Sequence, residues 1–127
     1  MKKLLGILVL GLLWCNVGFA ENFIYRCNFD TQYKNKDAIE WKNKNISFTF
    51  KSINNETISI YDHEIKVTYS GKLDIILENT QLVAMYSDTS MIKTLVIDKL
   101  NSYGTYSISY IDGGAHGQYG IGKCILQ

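Results

Sequence analysis

The sequence predicts an all-β fold, a small antiparallel meander barrel of about eight strands closed by one disulfide. Three observations predict it. After residue 20, apolar residues recur at every second position in short runs. Turn residues separate those runs at intervals of roughly 8–12 residues, the spacing of a meander. Two cysteines, Cys27 and Cys124, stand near the two ends of that stretch. A meander whose ends are tied together can remove its exposed strand edges by closing on itself. A two-sheet sandwich is the alternative. The chain of 127 residues contains no proline, so no edge strand is protected that way, which favours closure.

The first element is a leader. Lys2 and Lys3 precede an apolar run from Leu4 to Trp14, and Gly18-Phe19-Ala20 places small residues at the −3 and −1 positions of a cut before Glu21. This reads as a secretory signal peptide, 1–20, followed by one all-β domain, 21–127. A membrane anchor would need about twenty continuous apolar residues, and Asn16 interrupts the run. Lipoprotein processing at Cys15 would need a small residue before it, where Trp14 stands. Without the leader, the 13 basic residues lose Lys2 and Lys3 and become 11 against 12 acidic ones, a net charge of −1. Such a balance offers no electrostatic basis for binding nucleic acid.

The strands follow in order. One surrounds Cys27. "ISFTFKS" sets Ile46, Phe48 and Phe50 on one face, and "TISIYDHEIKVTYSG" continues through Ile58 and Ile60, then Ile65, Val67 and Tyr69, as half-buried strands. "KLDIILEN", "QLVAMYS", "MIKTLVID", "TYSISYI" and "QYGIGKCIL" complete eight or nine. Turns are expected at Asn54-Asn55, Asp62-His63, Ser70-Gly71, Asn79, Asp88 and Ser102 to Gly104. Residues 30–45 form a long polar segment with room for one short helical turn around Ala38, Ile39 and Trp41.

Cysteine usage defines the closure. In an exported chain two cysteines are most simply one disulfide, and Cys27 to Cys124 would make the first and last strands neighbours. The loop so closed is close to one hundred residues, worth about 4–5 kcal/mol in the chain-entropy account before native strain. A redox pair would show Cys-x-x-Cys spacing, which is absent.

Five of the seven glycines after residue 20 fall in "IDGGAHGQYGIGKC", residues 111–124. Asp112 to Gly117 reads as the last hairpin loop. Gly120 and Gly122 then share one face of the final strand, where small residues permit curvature or close packing on the Cys27 strand. An anion cradle by Gly113, Gly114 and Gly117 lacks both the phosphate-loop lysine and the G-x-G-x-x-G spacing.

Chemical motifs are few. "SMIK", Ser90 to Lys93, has the spacing of a penicillin-binding serine and lysine but enters a strand, and neither S-D-N nor K-T-G follows. His63 and His116 with Asp62, Glu64 and Asp112 would make a metal site only if their loops met, and they read as solvated turn residues. No serine, histidine and acid spacing and no assignable carboxylate pair is present. The expected protein is not an enzyme and carries no cofactor or metal.

Aromatics mark the expected contact surface. Tyr33 and Trp41 lie in a polar segment, where a large ring has no automatic core role, and long loops in small domains are often functional. The predicted binding residues are Tyr33, Trp41, Asp112, Gly113, Gly114, His116 and Tyr119. If an even number of strands closes the barrel, the first loop and the last loop share one rim.

Tyr25-x-Cys27 near the start of the domain, the meander, and Gly122-x-Cys124 at its end together resemble the small periplasmic C-type lysozyme inhibitors. That resemblance implies an eight-stranded barrel with a disulfide. "LVIDKLNSYGTYSISY" followed by "GKC" is also similar to the ending of small bacterial exported proteins. Ser102-Tyr103-Gly104-Thr105-Tyr106 matches the inhibitors' Ser-Gly loop and tyrosine, but the later Lys-Gly segment is missing, so no inhibitory residues transfer. The expectation is a periplasmic or secreted monomeric binding or inhibitor-like module whose partner is a protein or cell-envelope component, with no membrane span once the leader is removed. A small-ligand carrier is the alternative, requiring an unfilled interior.

Overall fold

Alternation of apolar and polar side chains carries the strands of the structure, a computed structural model that describes residues 22–34, 44–111 and 116–127, with the backbone alone of 33 and 34. Among the described residues nine strands follow in chain order: β1 (Ile24–Lys34), β2 (Lys44–Ser52), β3 (Thr57–Asp62), β4 (Val67–Thr68), β5 (Leu73–Glu78), β6 (Gln81–Ser87), β7 (Met91–Asp98), β8 (Tyr103–Tyr110) and β9 (Gly117–Leu126). The pairings run β1–β2–β3–β5–β6–β7–β8–β9 and return to β1, all antiparallel. Eight strands therefore close a barrel, and β4 is an extra strand on the end of β3. An unbroken ring of ladders excludes the two-sheet sandwich.

The turns form where short polar side chains replace a strand partner with a local acceptor. Asn54 Oδ1 accepts from the amides of Glu56 and Thr57, Asn79 Oδ1 from Gln81, and Asp98 Oδ1 from Leu100 and Asn101. Asp62 Oδ1 takes the amide of Glu64, and Asp88 Oδ1 those of Ser90 and Met91. The turns at Asn54, Asp62, Asn79 and Asp88 are those the sequence predicts, whereas the one expected at Ser102 to Gly104 falls earlier, between Asp98 and Ser102, because Tyr103 and Gly104 already pair in β8.

Cys27 and Cys124 face each other across the β1–β9 ladder and are bonded, with both side chains fully buried. Gly120 and Gly122 line the same seam. A Cβ on Gly120 would press to 2.9 Å from Cβ of Phe29, and one on Gly122 would run into the carbonyl oxygen of Asn28. Close approach of β9 to β1 thus requires glycine at these positions.

Two local expectations are revised. The pattern through Ile65 and Val67 does not mark buried faces, because both are exposed and β4 is only two residues long. The tight turn after Asp62, in which Lys66 has φ 55°, ends the ladder before those side chains can point inward. Residues 30–34 are not loop but the last part of β1, paired with Gly117 to Ile121. Ladder hydrogen bonds outweigh the weak strand preference of a polar sequence there.

The middle of the barrel is filled. Phe29, Phe48, Phe50 and Tyr106 pack ring to ring at centroid distances of 5.2–6.3 Å, with Ile60 and Leu95 fully buried beside them.

Candidate functional site

One end of the barrel is polar inside. The C-terminal ends of β1, β3, β6 and β8 and the starts of β2, β5, β7 and β9 share this rim, because every ladder is antiparallel. Lys34 pairs with Gly117, so the residues flanking segments 35–43 and 112–115 stand on that same rim, as the sequence predicts for its first and last loops.

β7 carries Lys93 in phase with Leu95 and Ile97, which turns its side chain inward to only 5% exposure. Its ammonium lies 4.3 Å from the ring centre of Tyr69 and 5.8 Å from that of Tyr86. Cation–π attraction is strongest when the cation is desolvated, as here. Burial lowers the Lys93 pKa, and the charge of Asp88 partly opposes that shift. Among the described residues no carboxylate lies within ion-pairing distance of this ammonium.

The two rings are held by carboxylates. Tyr69 donates to Asp62 Oδ2 at 2.7 Å, and Tyr86 donates to Asp88 Oδ2 at 2.7 Å. Asp62 is itself buried, in phase with Ile58 and Ile60 on β3. Burial, followed by the hydrogen bond and charge of Asp62, pushes the Tyr69 hydroxyl far above the ordinary tyrosine range. The Tyr86 hydroxyl, then the amide and hydroxyl of Ser90 and the amide of Met91, hold Asp88 well below the usual carboxylate range.

Below this layer Tyr106 reaches up from the aromatic core. Its ring is 3% exposed and its hydroxyl is buried without a hydrogen-bond partner. Burial pushes the hydroxyl pKa far up, and the charges of Tyr69, Tyr110 and Asp62 add to the shift. At the rim the His116 ring stacks on Tyr110 at 4.6 Å and 27°.

The residues predicted from the sequence fall in three groups. His116 is at the mouth, and Tyr33 is on β1 opposite Gln118. Tyr119 stands on the outer wall of β9, 44% exposed, with Ile121 beyond it. Trp41, Asp112, Gly113 and Gly114 lie outside the described residues. His63 faces the outer wall, its Nε2 2.6 Å from Thr49 Oγ1 and its ring edge-on to Tyr61. Among the described residues no three of His, Cys, Asp and Glu gather as a metal would require, and no helix is long and apolar enough to cross a membrane.

Sequence reasoning missed Asp62, Tyr69, Tyr86, Lys93 and Tyr106 as one constellation. The signal was readable: Asp62 and Lys93 each occupy the apolar phase of a strand, where a charged side chain must turn inward.

No family model matches the chain, and no curated protein matches it.

Proposed function

We propose that this protein is an exported binding module, inhibitor-like in mode, that engages a protein or other cell-envelope component through the polar rim of its barrel. The observation that carries this reading is the β1–β9 register, which sets the flanks of both candidate loops on the rim that also holds the Lys93 and tyrosine layer. Loops gathered at one end of a rigid barrel can recognise a partner without a catalytic group. The signal-like leader and the buried disulfide support export, since disulfides persist in oxidising compartments.

The packed middle layer counts against the carrier alternative. A carrier needs several hundred Å3 of enclosed space, whereas Phe29 and Phe50 are fully buried against Phe48 and Tyr106.

Capture experiments with the immobilised chain 21–127 and cell-envelope extracts test the reading. Retention of a specific component should be lost in Trp41→Ala and His116→Ala variants that keep the parent melting temperature. Capture indifferent to both substitutions would overturn the assignment to this rim. Assay of a C-type lysozyme with the purified chain tests the partner class implied by the resemblance, and inhibition sensitive to the same two substitutions would support it.

A further inference from the structure

We propose that the barrel mouth binds a single carboxylate group, received by the Lys93 ammonium and the Tyr106 hydroxyl. This rests on the reading of that rim as the contact surface and names the chemistry it takes. Lys93 and Tyr106 occupy adjacent strands: Lys93 pairs with Ile108, and Tyr106, two residues earlier on β8, pairs with Leu95. Both side chains point inward, and such diagonal neighbours lie about 7–8 Å apart at the backbone, within reach of one bound group for side chains this long.

Each is a donor without an acceptor among the described residues, one cationic and one neutral, and each is more than nine-tenths buried. A buried hydroxyl left without an acceptor is costly, as for Tyr106, and a cation with no carboxylate beside it among the described residues favours an anionic ligand, so one acidic group would satisfy both. The neighbouring acceptors are committed elsewhere. Asp62 accepts from Tyr69 and the Glu64 amide, and Asp88 from Tyr86, Ser90 and the Met91 amide.

The same two carboxylates select the ligand's charge. Lys93 supplies one positive charge, and repulsion from Asp62 and Asp88 disfavours a dianion such as phosphate. A carboxylate is a monoanion and matches the single charge of the ammonium, which lies 4.3 Å from the ring centre of Tyr69 and 5.8 Å from that of Tyr86. It can take a charge-assisted bond from the ammonium and a second bond from the hydroxyl.

The test is a titration of isotopically labelled chain 21–127 at pH 7 and constant ionic strength, following the Lys93 ε-carbon and Tyr106 ζ-carbon resonances. The probes are sodium acetate, a blocked peptide with one central glutamate, and inorganic phosphate. Acetate or the peptide should shift both resonances saturably. Tighter saturation by acetate identifies a free small acid as the ligand, and tighter saturation by the peptide identifies an acidic side chain. Lys93→Met should weaken the response at least tenfold, and Tyr106→Phe about threefold to tenfold, with the amide spectrum otherwise retained. A linear response to both carboxylates, equal affinity in both variants, or saturation by phosphate alone would overturn the proposal. Because no envelope component enters this titration, its failure beside a rim-dependent capture refutes the carboxylate subsite alone. A saturating titration with no captured component upholds the subsite and removes the partner reading.

Discussion

The two ends of the barrel are built from the same alternating strands and do opposite things with their inward positions. At one end Tyr25, Ile58, Leu82 and Ile97 are buried, Phe23 folds over with its ring 5.5 Å from Tyr25, and its amide bonds Ser52 Oγ at 2.9 Å. That end is sealed. At the other end the inward positions hold Asp62, Lys93 and the rings of Tyr69, Tyr86 and Tyr110. Polar groups there spend stability on charges that a plain core would omit. The difference teaches that apolar packing and buried polar chemistry are divided along the barrel axis, so substitutions at the two ends should separate cleanly.

The largest effects should come from the seam that closes the barrel, at Gly122 and at the disulfide. Gly122→Ala drives a methyl group into the Asn28 carbonyl and must force β9 away from β1. Overpacking of that kind costs typically about 1–3 kcal/mol and occasionally more; backbone on backbone belongs to the upper part of that range. Urea unfolding measures it, and an unchanged midpoint would show that the ladder yields more easily than its geometry allows.

Replacing Cys27 and Cys124 by Ser should lower the unfolding free energy by roughly 2–5 kcal/mol. A thiol assay on the native protein should find both cysteines oxidised. Free thiols would remove the closure argument.

At the mouth the expected sign reverses. Lys93→Met keeps the volume and removes a desolvated charge, so stability should hold or rise by up to about 2 kcal/mol. The gain should depend on pH. Because the folded pKa of Lys93 lies below its unfolded value, the unfolded chain binds more protons in the interval below 10.5, and the wild type recovers stability as pH rises through it. Tyr69 and Tyr106, with raised folded pKa values, act in the opposite direction only above pH 10, where the unfolded chain loses protons first. Urea midpoints of wild type and variant at pH 7 and pH 9.5 should therefore converge. A constant gap would mean that Lys93 is not desolvated in solution.

The smallest effect sharpens the comparison from outside both ends. Ser102 holds φ 54° in the β7–β8 turn, and Ser102→Gly should change stability by less than about 1 kcal/mol, since relief of strain is offset by the greater freedom of the unfolded glycine. Thermal melting checks it, and a large loss would show that the Ser102 side chain does more than occupy a turn.

Strand positions were readable because period-two alternation is local: "ISFTFKS" and "MIKTLVID" state which residues turn inward without reference to anything distant. The disulfide was readable because only two cysteines follow residue 20, and two cysteines have one intramolecular pairing. Asp62 and Lys93 were half readable. Their inward phase is written in "TISIYD" and "MIKTLVID", but their relation to Tyr69 and Tyr86 is not, since those residues come from four separate elements whose meeting depends on barrel closure.

The sequence by itself determined the all-β class, most of the turns and the covalent join of first and last strands. The class and the turns follow from backbone geometry within a few residues, and the join from there being a single pair of cysteines to bond. Only the tertiary structure decided that β4 stops after two residues with Ile65 and Val67 exposed, that the middle of the barrel is full, and that one rim gathers a buried lysine, two carboxylates and a ring of tyrosines. Register across the ladders sets those outcomes. Register is a sum over many cross-strand contacts, so no single stretch of sequence contains it.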